Sequence, residues 1–476
     1  MSTSLKIFFL FLILYEGVFA QPVYWQRIYD LNLQKEGSCG IEAINGGYII
    51  VSKWLGGSGF NGINIMKIDD FGIKQWEKNY NLGASNDIIE TTDSGYLLVG
   101  GGLRASVFKI NQYGDSIWHK QYGSSFNDTF TRIKKNNVND YILCGVKSLG
   151  SSRTGAFVVY LNNLGNLIWQ NIISDSLYNN IYGLDLLIDK NTNLAVTGWA
   201  VKDFFYDNNI FLFKLNQNGN LYRKKFILTD SLGDIGNRIL KSTDNSYMIS
   251  GQIYQSTIPF QCSHFTKIDT SGNIIFQKKY NTCTYYVTQL SNNYYTLAGE
   301  IMGKFGIIKV NEKGDSIYSK ILNGSPYYSN INYPISTEKN NYLFTGYYHD
   351  TSFAFGSNST YVALTDSSGN TNYPANIVQS NINIIKGFTL FPPFPNPFNS
   401  AVTIKFDIYE DGKYILDLFN VSGKKIDVLS NNNFEKGSYS LSFFSEFNNH
   451  STGIYFIRLY NFNNSFSKTQ KIIYLK

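Results

Sequence analysis

The residues best equipped for chemistry are few and scattered. The 476-residue chain holds four cysteines (Cys39, Cys144, Cys262, Cys283) and four histidines (His119, His264, His349, His450). No histidine has a serine, a cysteine or a second histidine at a catalytic spacing, and no CxxC or Cys-His pair is spaced as a zinc site. The acids around the glycine turns (Asp69-Asp70, Asp269, Asp366) lack the D-x-D-x-D-G order of a calcium loop. They read as turn formers that bond their own backbone. Neither metal nor cofactor is therefore expected, and no catalytic residue is assigned. Two chemistries stay open. One is a carboxylate pair acting on a polysaccharide, drawn from Asp203, Asp207, Asp230, Asp234 and Asp350. The other is recognition by aromatic side chains, which make up 16% of the chain and so must be chosen by position.

Position is set by a repeat, plainest at Gly95–Tyr122. A short apolar run ends in Gly100, a second ends in Lys109-Ile110-Asn111, a turn follows at Gly114, and an alternating run carries Trp118 and Tyr122. The turn glycine recurs at Gly72, Gly114, Gly165, Gly219, Gly272, Gly314 and Gly369, at spacings from 42 (Gly72 to Gly114) to 55 (Gly314 to Gly369). The earlier glycine recurs at Gly100, Gly145, Gly198, Gly251, Gly299 and Gly346, with Ser52 in the first copy. Period-two alternation means strands. Each copy has text for four of them, which is the size of a propeller blade. The fold class expected is all-β: a seven-bladed β-propeller followed by a small Ig-like β-sandwich.

Ring closure is also written in the text. Val23–Tyr29 is an outer-strand phrase with no blade before it, while the last turn, at Gly369, is followed by no Trp-x-Lys-x-Tyr phrase. Lending the N-terminal strand to the last blade satisfies both.

Residues 1–20 read as a signal peptide: Lys6, an apolar core Ile7–Leu14, and small residues at Val18 and Ala20. The apolar core is too short to span a bilayer, and no later run is longer, so the mature chain is expected to have no transmembrane segment. The propeller is expected at 21–373, a linker at 374–386 and the second domain at 387–476. A net charge of +6 comes from lysines spread singly over the strands, so nucleic acid is not an expected partner. Exported chains meet oxidising conditions. Cys262 and Cys283 flank the hairpin at Gly272 and are a possible disulfide, whereas Cys39 and Cys144 read as buried thiols.

The last domain carries "FPNPFNSAVTIKF" (Phe394–Phe406), "LDLFNVSGKKI" (Leu416–Ile426), "STGIYFIRL" (Ser451–Leu459) and "KIIYLK" (Lys471–Lys476). In these motifs it resembles the type A C-terminal sorting domain of the type IX secretion system of Bacteroidetes and related phyla. The matching residues are Phe394, Pro395, Asn396, Pro397, Phe398, Gly423, Gly453, Tyr455, Lys471 and Lys476, with Phe394 where the family usually has Tyr. The resemblance implies export through the periplasm, the type IX secretion machinery as partner, and a secreted or cell-surface location. The repeat region is similar, more loosely, to kelch- and WD-like propellers.

In a propeller the loops joining second to third strands share one face, and here they vary in length and are rich in aromatics. Trp54, Trp199, Phe205, Tyr206, Tyr254 and Tyr348 are the candidate ligand-binding residues, for an unknown glycan or protein. The expectation is a non-catalytic binding propeller, with a secreted polysaccharide hydrolase or lyase as the alternative and a purely structural surface-layer component as a third class.

Overall fold

The computed structural model describes residues 24–30, 34–55, 61–102, 104–125, 127–189, 193–202, 208–228, 233–254, 261–291, 294–322, 325–326, 329–350, 357–371, 376–378, 388–408, 411–443, 451–461 and 467–476. Residues 1–23, with the stretch read as a signal peptide, and most of the aromatic loops, including Phe205 and Tyr206, lie outside them. Among the described residues there is no helix. The chain divides into two compact units, Met1–Val378 and Gln379–Lys476.

Among the described residues, the first unit shows seven antiparallel groups of four strands. In the second group these are Ala84–Glu90, Tyr96–Gly101, Ser106–Ile110 and Ser116–Gln121, paired in that order. The first strands of the groups are Lys35–Glu42, Ala84–Glu90, Thr129–Lys135, Asn180–Ile188, Gly233–Lys241, Cys283–Ser291 and Ser329–Ser336. Each packs on the next and the seventh packs on the first, so they ring an axis. This is the propeller arrangement, in which every blade presents only a short outer edge.

The repeat glycines answer to sterics. Every inner strand shifts register partway along, as between Ser85 and Asp87 and between Gly236 and Arg238, which is a β-bulge. The bulge pushes a carbonyl toward the second strand. A Cβ on Gly100, Gly145, Gly198 or Gly251 would lie 1.9, 2.0, 1.9 and 1.7 Å from the carbonyl oxygens of Ala84, Thr129, Tyr182 and Ile235. No side chain fits there. In the first blade Ser52 opposes Gly37, and its hydroxyl shares a 2.7 Å hydrogen bond with Thr360 of the last blade.

The turn glycines have two constraints. Gly114 takes φ +80°, and Asn111 Oδ1 accepts from the Tyr113 and Asp115 amides to shape the turn. The outer strand of the preceding blade also closes over it: Trp76 would be 2.7 Å from a Cβ on Gly114, and Tyr80 donates to the Gly114 carbonyl. Trp118 and Tyr122 do the same at Gly165, and Trp25 and Tyr29 at Gly72. The Trp-x-Lys-x-Tyr phrase is thus a clamp from one blade onto the next.

Trp25–Tyr29 pairs antiparallel with Ser357–Thr365, from Trp25↔Leu364 to Tyr29↔Thr360, so the N-terminal strand is the fourth strand of the last blade. A short strand, Asn376–Val378, adds outside it in parallel, which carries the first unit past Tyr373 into the stretch read as linker. Beside the closing strand lies an ion network. Lys35 Nζ is 2.8 Å from Asp30 and 2.5 Å from Glu77, and Lys74 Nζ is 2.8 and 2.5 Å from the same two acids. Asn64 Nδ2 donates to Glu77 at 2.6 Å.

The expected Cys262–Cys283 bridge is not formed. Cys283 is a free thiol that opens the sixth inner strand opposite Glu300, and Cys262 pairs with Ile253 in the preceding blade. The hairpin at Gly272 ends with Ser263 opposite Tyr280, so Cys283 belongs to the next blade and not to that hairpin's base.

Burial opposes ionisation of Glu77, but Lys35 and Lys74 outweigh it and hold the carboxyl at about 2, against 4.5 when free. A depressed carboxyl stabilises fully above its unfolded pKa and loses that contribution as pH falls through the folded one. Glu77→Gln should lower stability at pH 7, and the gap to the parent should narrow from pH 4.5 toward pH 2. Urea unfolding across that range checks this, and a gap that stays constant to the acid end would contradict it.

Candidate functional site: the axis, the variable face and the C-terminal unit

The residue after each bulge is turned toward the axis. Blade by blade these are Cys39, Asp87, Arg132, Asp185, Arg238, Tyr286 and Tyr333. Each stands thirteen residues before the repeat glycine or serine within its second strand (Asp87 to Gly100, Tyr333 to Gly346). That constant spacing could have found them, although sequence reading passed over all but Cys39.

They form one network across the ring. Arg132, 4% exposed, lies 3.3 Å from Asp87 and 2.9 Å from Asp185. The second oxygen of Asp87 accepts from the Ile133 amide at 2.9 Å, and that of Asp185 from the Ile239 amide at 3.0 Å. Tyr333, two blades away across the first, donates its hydroxyl to Asp87. Its ring centre is 5.3 Å from the Arg132 guanidinium carbon and 4.7 Å from that of Arg238, which also lies 5.4 Å from Tyr286. Burial first, then the nearby carboxylates, pushes the Cys39 and Cys144 thiols up to about 12, so both are inert at neutral pH. They are the buried thiols expected.

The residues inside the bulges stitch neighbouring blades. Asn86 Nδ2 donates to the Phe130 carbonyl at 2.7 Å, Thr131 to the Gly183 carbonyl at 2.8 Å, and Asn332 to the Gly37 carbonyl at 2.9 Å. The last of these joins the seventh blade to the first.

The candidate ligand residues stand on strands more than on loops. Trp54 is in Tyr48–Leu55, its ring against Gly62, where a Cβ would be 2.9 Å away. Trp199, in Leu194–Val201, is half-buried and stacks on Tyr182 with ring centres 4.1 Å apart at 13°. Tyr348, in Tyr342–Asp350, packs on the core of the last blade. Tyr254 ends its strand, and its side chain lies outside the described residues. The hairpins run further than alternation suggested, with Trp199 opposite Ile210 and Tyr348 opposite Ser359 across second and third strands. Trp54, Trp199 and Tyr348 belong to blades one, four and seven.

Of the carboxylates considered for catalysis, Asp203, Asp207 and Asp230 lie outside the described residues, as does the side chain of Asp350. Asp234 is fully buried and accepts from Gln277 at 3.2 Å. Beside it, His264 is held neutral by burial, with Asp234 opposing. The Ile235 carbonyl can only accept, so His264 Nε2 carries the proton (2.9 Å), and Nδ1 meets the Thr266 hydroxyl at 2.9 Å. This histidine is structural.

The C-terminal unit is a sandwich. One sheet has the order Phe388–Leu390, Val402–Ile408, Gly437–Phe443, and the other Lys425–Phe434, Gly412–Asn420, Gly453–Asn461, Ser467–Tyr474. Phe388, Ile404 and Phe406 meet Leu416, Leu418, Ile457 and Ile472 in its core. The first motif is sewn to the last strand. Asn396 donates to the Lys471 carbonyl at 2.9 Å and accepts from the Ile473 amide at 2.8 Å. Phe398 is buried against Tyr474 and exchanges backbone bonds with Ile473 and Leu475. Phe394, Pro395 and Pro397 stay exposed. Gly423 turns at φ +77° under Asn420, Tyr455 donates to the Ser451 carbonyl, and the Lys476 amide bonds Thr452. Gly453 opens the third strand of this sheet.

Residues 393–475 match the family described as the secretion system C-terminal sorting domain. The domain implies interaction with the type IX secretion machinery, and the protein is a secreted or cell-surface one exported via the periplasm. Two solved structures are similar. One is PorZ, a bacterial surface component of the type IX secretion system of Porphyromonas gingivalis, at 12% identity and a TM-score of 0.41, over 90% of this chain and 58% of that one. The other is the Dos1 propeller, at 10% identity and a TM-score of 0.46, over 74% of this chain and 98% of that one. The chain thus spans little more than half the length of PorZ. No curated protein matches the sequence.

Two outcomes follow from these sites. Arg132→Met leaves two buried carboxylates without their cation and should cost about 3–5 kcal/mol in urea unfolding, the usual effect of breaking a buried pair. Adding Asp87→Asn and Asp185→Asn should recover part of it, and no recovery would show that packing, not charge, set the loss. Removal of residues 387–476 should leave the propeller folded in the periplasm, as cell fractionation reads; truncated protein outside the cell would overturn the assignment of the export signal.

Proposed function

We propose that this is a non-catalytic binding propeller, displayed or released outside the cell, that recognises a glycan or protein through the loops between its second and third strands. The observation carrying this reading is the contrast between two faces. The turns between third and fourth strands are nearly uniform, five residues in Ile68–Lys74, Ile110–Ser116, Leu161–Leu167 and Leu215–Leu221. The loops between second and third strands range from two residues (Ile301–Lys304) to six (Val201–Asn208, Tyr254–Gln261). A constant scaffold on one face with variable loops on the other is the division of labour of binding proteins. Trp54, Trp199, Phe205, Tyr206, Tyr254 and Tyr348 are the proposed contacts. Such side chains offer area at small entropic cost.

A glycan array probed with the exported protein, run beside a polysaccharide hydrolysis screen, tests this reading. Saturable binding without turnover is expected, and turnover would replace it with an enzyme. Trp199→Ala should weaken binding by about 1–3 kcal/mol, as for interface hot spots, with little change in melting temperature. A variant that unfolds instead would make the Tyr182–Trp199 stack packing alone.

A further inference from the structure

Arg132 and Arg238 occupy the same position two blades apart, yet only one is paired. Arg132 has Asp87 and Asp185 as counterions at 3.3 and 2.9 Å. Arg238 is 7% exposed and held between the rings of Tyr286 and Tyr333, at 5.4 and 4.7 Å. Among the described residues its guanidinium makes no hydrogen bond or ion pair. The nearest blade offers it no oxygen, because Asp185 is spent on Arg132 and on the Leu186 and Ile239 amides.

We infer that Arg238 is an oxyanion-binding residue at the propeller axis, taking a carboxylate or sulfate group on the edge of its guanidinium. The two tyrosine rings cover guanidinium faces, which leaves the in-plane N–H donors to be satisfied. Donors without a protein acceptor are open to a ligand, and a planar fork matches an oxyanion through two parallel hydrogen bonds. Asp87, Arg132 and Asp185 together carry one negative charge, so the affinity is modest. The site needs only the axis and stands or falls apart from the loop-face reading.

Calorimetric titration of the exported protein with sodium sulfate, and separately with sodium acetate, at constant ionic strength tests this. Saturable binding of one anion per chain is expected for the parent. Arg238→Met should weaken it at least tenfold, and Arg238→Lys, which keeps the charge but not the fork, should weaken it less. No saturable binding of either anion by the parent would overturn the proposal and leave the axis to water. Unchanged affinity in Arg238→Met would overturn it as well. Should that variant not fold, the parent titration still decides the anion, and unchanged affinity in Arg238→Lys would exclude the fork.

Discussion

The β-bulge on each inner strand is the constraint from which most of this propeller follows. Seven strands crowd one axis, and the bulge does three things there. It turns one side chain inward, it lets a second reach the neighbouring blade's backbone, and it drives a carbonyl against the second strand. The last effect explains a glycine at Gly100, Gly145, Gly198 and Gly251, where even a methyl group would overlap backbone. The first explains why charge appears in so dry a place. Asp87 and Asp185 each give one oxygen to Arg132 and one to an amide of the following blade, Ile133 or Ile239. Carboxylates satisfied on both oxygens, with the cation between them, cost far less to bury than lone ones.

Much of the scaffold was legible because its constraints are local. A turn needing φ > 0 and a flat approach for Trp118 or Trp76 has to place glycine at Gly165 and Gly114, and sequence records that directly. The axis was not legible in the same way. Asp87 and Arg132 look like ordinary polar positions in alternating strands, and only the bulge moves them out of alternation. A register shift leaves no residue type of its own, though it leaves a constant distance to the following glycine. The placement of the aromatic candidates was hidden for a different reason. Trp199 and Tyr348 read as loop residues because the text near them is irregular, whereas cross-strand pairing carries the hairpins through them. Cys262 and Cys283 show the same limit, since the bridge required a register that belongs to two separate blades.

The C-terminal unit obeys a related logic at smaller scale. Its first and last motifs are far apart in sequence and adjacent in space, because Asn396 and Phe398 bind the strand containing Lys471 and Ile473. Motifs that fold against each other must match together, so the resemblance rested on all four. This unit has its own core, and the propeller has separate ones.

The seam that closes the ring lies inside the last blade. In the other six the chain itself runs from third to fourth strand, while here two distant segments, Ser357–Thr365 and Trp25–Tyr29, have to find each other. Trp25 and Tyr29 use the same clamp on Gly72 that Trp118 and Tyr122 use on Gly165. To this the seam adds Asp30, Lys35, Lys74 and Glu77, two acids alternating with two bases within 2.8 Å. An apolar seam would tolerate a slip of the closing strand by two residues, since every second side chain faces the same way. A slip would carry Asp30 away from both lysines and leave charges buried without partners. The network therefore selects one register for the strand that closes the ring, which no turn from Ser357–Thr365 sets.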